Sequence, residues 1–151
     1  MLNISEGGSM NQKLLFAGLV LSFMVSNSLQ SLPTSTISCA DLQQKMMLSL
    51  ANEDGLYVIN VLPKAICADC KIPGTLNIPF DKLGKKTAKW PKNREIIIHC
   101  AGMDCPLGQY ACDLLQGMGF QNVALFDGGI RTWKRQNLPT TGRCKAGYLK
   151  G

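Results

Sequence analysis

Short, strongly apolar runs alternate along the chain with longer stretches in which apolar residues recur every three or four positions. The runs occupy residues 56–61, 96–100 and 123–126, and their length is typical of strands buried on both faces. Two sets of apolar residues each fall on one face of a predicted helix. The first is Leu42, Met46, Met47, Leu50 and Ala51, and the second is Leu107, Ala111, Leu114, Leu115 and Met118. Strands that alternate with helices predict an α/β fold around a parallel sheet.

Weaker signals add shorter elements to this pattern. Ser38, followed three residues later by Asp41, resembles a capping box at the start of the first helix. Residues 76–78 predict a short strand, residues 80–86 a short helix, and Gly128-Gly129 the start of a helix that runs through Trp133. Ligands of parallel sheets bind beyond the carboxyl ends of the strands, and Cys100 stands at such an end.

An apolar, uncharged run at residues 14–25 follows Lys13 near the N-terminus. A membrane-spanning helix needs about 20 apolar residues and a signal-peptide core about 7–15, so the run predicts export; the alternative is a buried core helix. We expect an extension and signal peptide over residues 1–28, a tether over residues 29–37 and one domain over residues 38–151. The predicted location is periplasmic, with no stable membrane anchor after cleavage.

The formal net charge of +6 is concentrated in one basic cluster: Lys82, Lys85, Lys86, Lys89, Lys92 and Arg94. We interpret the cluster as a solvated face, and the alternative is electrostatic attraction of small anions or acidic partners. Nucleic-acid binding is not predicted, because the run contains one aromatic residue, Trp90, and no recognisable binding motif.

All seven cysteines follow the predicted cleavage site: Cys39, Cys67, Cys70, Cys100, Cys105, Cys112 and Cys144. Because their number is odd, at least one is not in an intramolecular disulfide. Cys67 and Cys70 fall in a connection predicted to be irregular, where a local disulfide or a longer bridge from Cys70 to Cys144 are both open. Cys39 and Cys112 fall on predicted helices and are interpreted as buried thiols. No metal site is predicted, since Cys67-x-x-Cys70 has no second pair at metal spacing.

Cys100 stands between a strand end and a helix start. Free backbone NH groups and the positive end of the helix dipole favour a thiolate there and would cradle an anion formed on the sulfur. Gly102 is expected to allow a tight turn, Asp104 to cap the helix, and Pro106 to occupy its first turn. The alternative is a buried cysteine that acts as a small hydrophobe.

Three blocks resemble the rhodanese-like sulfurtransferase family, and together they extend over residues 38–141. The first is VINV at residues 58–61 with IPGTLNIP at residues 72–79. The second is EIIIHC at residues 95–100, which leads into ACDLL at residues 111–115 and Gly119-Phe120. The third is NVALFDGGIRTW at residues 122–133, followed by Leu138-Pro139.

The resemblance implies a rhodanese-like α/β fold with a central parallel five-stranded sheet flanked by helices. It implies an enzyme, a sulfurtransferase of the thiosulfate type, with Cys100 as the catalytic cysteine that carries sulfane sulfur as a persulfide. The donor would be a small sulfur-containing anion or a persulfide, and the acceptor a thiol. The loop amides would bind the substrate: Ala101, Gly102, Met103, Asp104 and Cys105. No cofactor is implied, and we expect a monomer.

Two departures from the family pattern keep other functions open. Asn60-Val61-Leu62 replaces the usual Asp-x-Arg at the first strand, so a non-catalytic binding module is one alternative. The C-x(4)-C-P-L loop resembles a two-cysteine subset of the family, and Cys105 is a candidate resolving cysteine that could form a disulfide with Cys100. A thiol redox protein is therefore the other alternative.

The sequence around Cys100 also argues against a phosphatase and against a catalytic role for His99. A cysteine phosphatase is excluded because Pro106 stands where its loop needs an arginine, and no arginine follows Cys100 before Arg131. His99 is interpreted as a strand residue that faces away from the loop.

Overall fold

A computed structural model of the chain describes residues 33–52 and 55–150. The predicted signal peptide, its cleavage site and residues 29–32 of the predicted tether lie outside the described residues. In the part that is described, no helix has the length and hydropathy needed to cross a membrane.

The described residues form strands and helices in strict alternation, as the hydrophobic pattern predicts. The strands are β1 (Ser35–Thr36), β2 (Tyr57–Asn60), β3 (Leu76–Asn77), β4 (Glu95–His99) and β5 (Asn122–Phe126). The helices are α1 (Cys39–Asn52), α2 (Lys64–Asp69), α3 (Phe80–Thr87), α4 (Leu107–Gly117) and α5 (Gly129–Arg135), with a 3-10 turn at Gly147–Lys150. The strands pair in parallel in the order β1-β5-β4-β2-β3, which confirms the predicted five-stranded sheet.

The sheet separates two apolar clusters, because alternate residues of a strand point to opposite faces. Ile96 and Ile98 of β4 pack on the side covered by α3 and α4, whereas Ile97 packs on the side covered by α1 and α5. All three are fully buried, and burying a side chain of this kind contributes roughly 1.5–3 kcal/mol. Cys100 belongs to the first cluster, so the preceding residue, His99, points to the opposite face, as predicted.

The register brings the carboxyl ends of the central strands into line. Asn60 of β2 lies beside His99 of β4, which lies beside Phe126 of β5. The residues that follow these strands therefore meet at one edge of the sheet, and Cys100 is among them.

Helix α1 confirms its predicted start but not its predicted buried face. The Ser38 hydroxyl accepts a hydrogen bond from the Asp41 amide at 3.1 Å and donates one to its carboxylate at 2.6 Å, which is the predicted capping box. Leu42 is fully buried, but Met47 is 65% exposed and Leu50 is 85% exposed. The predicted apolar face is therefore buried only near the start of the helix, at Cys39 and Leu42.

Two further segments differ from the sequence expectation. Ser35 and Thr36, which we expected in a tether, form the edge strand β1, and the Ile37 amide continues the pairing with a 2.9 Å hydrogen bond to the Leu125 carbonyl. The connection expected to be irregular contains helix α2, which begins directly after Pro63 and carries Cys67. Both segments are short and owe their conformation to contacts with the rest of the fold.

Candidate active site

Cys100 is the first residue after β4 and is only 3% exposed. Its carbonyl oxygen accepts a hydrogen bond from the Ile130 amide of α5 at 3.1 Å. Gly129, at φ +56°, has no room for a side chain, because a Cβ there would lie 2.5 Å from that same carbonyl oxygen. On the other side, a Cβ on Gly108 of α4 would lie 3.7 Å from the Cys100 Cβ. Two helices therefore hold this cysteine where the sheet ends.

The loop after Cys100 offers backbone NH groups to a ligand. The Cys105 amide donates to the Gly102 carbonyl at 3.0 Å and closes a turn. Within the described residues, the amides of Ala101, Gly102 and Met103 donate to no protein acceptor. Unpaired amides beside a helix N-terminus form a favourable environment for an anion. Of the loop amides expected to bind substrate, that of Cys105 is not available because it closes the turn, whereas those of Ala101, Gly102 and Met103 are unpaired in the described residues.

Cys100 and Cys105 are joined by a disulfide, and their Cα atoms lie 6.3 Å apart. That separation lies within the usual range for a disulfide. A cavity of about 190 Å³ opens beside the pair, lined among others by Gly102, Met103 and Gln109. The two sulfur atoms are therefore close enough for the loop to close as a disulfide when it is oxidised.

Arg131 is a residue of this site that the sequence analysis missed. Its guanidinium donates to both carboxylate oxygens of Asp104, at 2.8 and 3.3 Å, and its Nε donates to the Tyr148 carbonyl at 2.9 Å. The signal that could have revealed it is its position after the carboxyl end of β5, since β5 pairs with β4 and the two strand ends share one edge of the sheet.

The roles expected for Asp104 and Gly102 need correction. Asp104 does not cap α4; Pro106 occupies that position, and the Asp104 carboxylate turns instead to Arg131. The hydrogen bond from Arg131 holds the pKa of Asp104 below its usual value. Gly102 does not adopt a positive φ, so conformational freedom is not its contribution. A Cβ on Gly102 would come within 3.3 Å of the Arg131 guanidinium, so glycine supplies space.

The edge of the site formed by β2 is neutral and buried. Asn60 and Leu62, which replace the family's usual charged pair, are 0% and 5% exposed, and the Asn60 Oδ1 accepts from the Leu62 amide at 2.9 Å. The Asn60 Nδ2 and the His99 Nε2 have no hydrogen-bond partner in the described part of the chain. Burial lowers the pKa of His99 to about 4, against the smaller opposing effect of a hydrogen bond to the Cys100 carbonyl. His99 is therefore neutral at pH 7.

The remaining cysteines lie away from this loop. Cys70 and Cys144 form a second disulfide, with an S–S distance of 2.03 Å. The free cysteines are Cys39, Cys67 and Cys112, all buried. Burial raises the pKa of each of these thiols, and that of Cys112 to about 12. Of the two bridges left open by the sequence, the structure contains the longer one, Cys70–Cys144, and not the local bridge to Cys67. The free thiols are poor nucleophiles.

The chain is similar to one protein-family model, to curated proteins and to solved structures. The model of the rhodanese-like domain family matches residues 43–136. A sulfurtransferase of Allochromatium vinosum is 28% identical over 90 residues, which cover 60% of this chain and 82% of that protein. An HTH-type transcriptional regulator of Mycobacterium tuberculosis is 29% identical over 77 residues, 51% of this chain but only 34% of the regulator. A crystal structure of a Bacillus halodurans protein is similar with a TM-score of 0.64 and 27% identity, covering 76% of this chain and 83% of that one.

Proposed function

This chain belongs to the rhodanese-like domain family, and we propose that it is a sulfurtransferase that carries sulfane sulfur as a persulfide on Cys100. One observation carries the proposal. Cys100 follows β4 directly and opens a loop in which the amides of Ala101, Gly102 and Met103 have no hydrogen-bond acceptor in the described residues. A persulfide on Cys100 is an anion, and these amides would stabilise it.

The proposed cycle consists of two displacements. The Cys100 thiolate attacks the outer sulfur of thiosulfate, the bond between the two sulfur atoms of the donor breaks, and sulfite leaves with the bonding electrons. A persulfide donor reacts in the same way and leaves as a thiolate. In the second step an acceptor thiolate attacks the outer sulfur of the Cys100 persulfide, and Cys100 leaves as a thiolate. No net oxidant or reductant is consumed.

A second candidate function is a thiol redox cycle, which the disulfide between Cys100 and Cys105 favours. The Cys105 thiolate would attack the inner sulfur of the Cys100 persulfide, form the disulfide and release hydrosulfide. A dithiol reductant would then supply two electrons to reopen the pair. In this cycle Cys105 acts as the resolving cysteine, and the oxidised loop is one of its stages.

The proposal includes export to the periplasm. Two disulfides in one small domain suit an oxidising compartment. The proposed partners are the sulfur donor and a thiol acceptor, and neither reaction needs a cofactor.

Mass spectrometry of the reduced protein tests the proposal. After treatment with a dithiol, desalting and incubation with thiosulfate or an organic persulfide, Cys100 should gain about 32 Da, the mass of one sulfur atom. Cys112→Ser is the matched control: it removes a buried thiol whose pKa is raised to about 12 and should keep the gain. Cys100→Ser should lose it. The proposal is wrong if Cys100 gains no sulfur from any of these donors.

The variant Cys105→Ser separates the two candidate functions in the same experiment. In a sulfur carrier with no resolving cysteine, the persulfide of this variant decays at the wild-type rate. In the redox cycle, the variant keeps its persulfide longer and releases no hydrosulfide.

A further inference from the structure

We propose that a basic surface next to the Cys100 loop docks an acidic protein that exchanges sulfur with Cys100. The surface consists of Lys82, Lys85, Lys86 and Lys89, named here the lysine stripe, together with a neighbouring apolar cavity. This inference rests on the proposed function for its chemistry, but the docking itself can be tested without it.

The lysine stripe occupies one side of α3 and of the turn that follows. Its residues stand at positions i, i+3, i+4 and i+7, which share one face of a helix, and all four are exposed. Leu83 and Thr87 on the other side of the helix are buried. Asp81 is also exposed at the start of α3, but no carboxylate of the described residues forms an ion pair with the stripe.

The two other residues of the basic cluster, Lys92 and Arg94, contact aromatic rings of the domain, and they are therefore distinct from the lysine stripe. The Lys92 Nζ lies over the Phe120 ring at 3.9 Å from its centroid. Arg94 lies over the Tyr57 ring at 4.8 Å and donates to the Gly55 carbonyl at 3.2 Å. These two residues fasten loops to the domain, whereas the lysine stripe has no such partner in the part of the chain that the structure describes.

The stripe begins at the edge of the sheet where Cys100 lies. The Phe80 amide at the start of α3 donates to the Val61 carbonyl at 3.1 Å, and the Val61 amide donates to the His99 carbonyl at 3.2 Å. Two hydrogen bonds thus connect the first residue of α3 to the residue that precedes Cys100.

A cavity of about 400 Å³ with mostly apolar walls adjoins the stripe at Lys82. Val61, Phe80 and Leu107, the first residue of α4 after the loop, also line it. Tyr110, 54% exposed, has its ring centroid 6.5 Å from that of Phe80, and Met103 in the loop is 75% exposed. Met103 lines the other cavity, beside Cys100, so exposed apolar side chains with a charged rim extend from the stripe toward the reacting sulfur, as at a protein interface.

The size and chemistry of this surface fit a protein better than a small anion. Lys82 and Lys86 are four residues apart in α3, which corresponds to about 6 Å along the helix axis at about 1.5 Å per residue, and Lys89 extends the stripe into the turn that follows. Thiosulfate would engage one or two of these lysines and would gain nothing from an apolar cavity. A protein with a row of carboxylates beside a cysteine and an apolar side chain would engage the stripe, the cavity and Cys100 together. Exposed charges of this kind mainly raise the association rate and make it dependent on salt.

Binding is measured first, with a variant that cannot carry sulfur. The probes are two fluorescently labelled synthetic peptides, each with one alkylated cysteine beside a leucine; one is rich in Asp and Glu, and the other has Asn and Gln at the same positions. Added to the Cys100→Ser protein, the acidic peptide should bind roughly tenfold more tightly than the neutral one by anisotropy. The difference should vanish at about 1 M salt, where the Debye length is about 3 Å.

Two charge variants show whether the lysine stripe is responsible. The double substitution Lys85→Glu with Lys86→Glu should abolish the preference for the acidic peptide. Arg135→Glu with Lys145→Glu makes the same change in net charge at exposed positions outside α3 and should keep it. If the first variant does not fold, judged by circular dichroism, Lys85→Gln with Lys86→Gln serves instead and should reduce the preference.

Transfer is then measured from the Cys100 persulfide to the same two peptides with free thiols. The acidic peptide should accept sulfur roughly tenfold faster, and the ratio should fall toward one in the stripe variant. Failure of Cys100 to load sulfur would refute the proposed function and leave the binding result intact.

Three results would overturn the docking proposal. They are equal binding of the two peptides, a preference that survives in the stripe variant, and a preference that is lost equally in the control variant. Vesicles of phosphatidylglycerol and phosphatidylcholine test the competing ligand: stripe-dependent binding to them, without any preference between the peptides, would assign the surface to a membrane instead.

Discussion

Asn60 and His99 lie side by side on β2 and β4, fully buried, and each has one polar atom without a partner in the described structure. Leaving such an atom unsatisfied costs about 1–3 kcal/mol. Charging the imidazole in this position would cost more, which is why burial lowers the pKa of His99. His99 thus makes the stability of the domain depend on pH, although it is not part of the Cys100 loop.

His99 should make the protein less stable as the pH falls from about 6.5 to about 4. In that window the unfolded chain binds a proton at His99 that the folded chain, with a pKa of about 4, does not. Between these two pH values His99 should lower the free energy of unfolding by about 3 kcal/mol. Urea unfolding at pH 7, 5.5 and 4 measures it. His99→Gln, which cannot titrate, should show a shallower decline than the wild type, and equal slopes in the two proteins would contradict the prediction.

At the scale of elements, the loop after Cys100 depends on the first turn of α5. The Ile130 and Arg131 amides donate to the Cys100 and Ala101 carbonyls at 3.1 and 3.0 Å, and the Arg131 side chain holds Asp104. Gly129 permits this approach both by its positive φ and by the absence of a Cβ. The helix therefore acts as a support for the loop.

Gly129→Ala should destabilise the protein by about 2–4 kcal/mol, since it adds a strained φ and a clash with the Cys100 carbonyl. It should also reduce sulfur loading of Cys100, because the loop can no longer rest on α5. Gly117→Ala in α4 is the matched control: its Cβ would meet nothing within 4 Å, and it should be neutral or slightly stabilising. Denaturant unfolding of both variants checks the prediction, which fails if the two substitutions have the same effect.

Local periodicity was sufficient to predict most elements, and its failures have physical causes. The buried strands β2, β4 and β5 and the helix α4 each carry enough apolar residues in sequence to be recognised. Helix α2 has six residues and buries only Cys67, so no periodic signal exists. In α1 the periodicity predicted an apolar face but could not show which part of it would be buried, and Met47 and Leu50 are exposed.

The site was predictable where it depends on neighbours in sequence. Cys100 and its loop follow one strand directly, and the spacing indicated them. Arg131 meets Asp104 across 27 positions, a contact that only the packing of α5 against the loop creates. The pairing of Cys70 with Cys144 likewise depends on where the tail returns to the domain.

At the scale of the whole molecule, the C-terminal segment is fastened to the body of the domain at several points. The disulfide joins Cys70 to Cys144, whose amide donates to the Asp69 carbonyl at 2.8 Å. Further along, the Tyr148 carbonyl accepts from Arg131, which in turn holds Asp104 in the loop. The tail and the candidate active site are thus connected through one guanidinium group.

Removing the tail disulfide by the double substitution Cys70→Ser with Cys144→Ser should lower the free energy of unfolding by about 4 kcal/mol in the chain-entropy model, given a sequence separation of 74. Cys105→Ser opens a bridge with a sequence separation of only 5 and should cost about 2 kcal/mol on the same basis. Urea unfolding under non-reducing conditions gives both values. Equal losses in the two variants would show that loop length does not set the stabilisation.

The Cys70–Cys144 disulfide also determines what happens when the chain is cut. Everything between residues 70 and 144, the exposed Met103 included, lies inside a covalent ring. A protease that cuts once beside Met103 would yield two fragments that stay joined by Cys70–Cys144 even when Cys105 is replaced by serine, and they would separate on a gel only after a reductant is added.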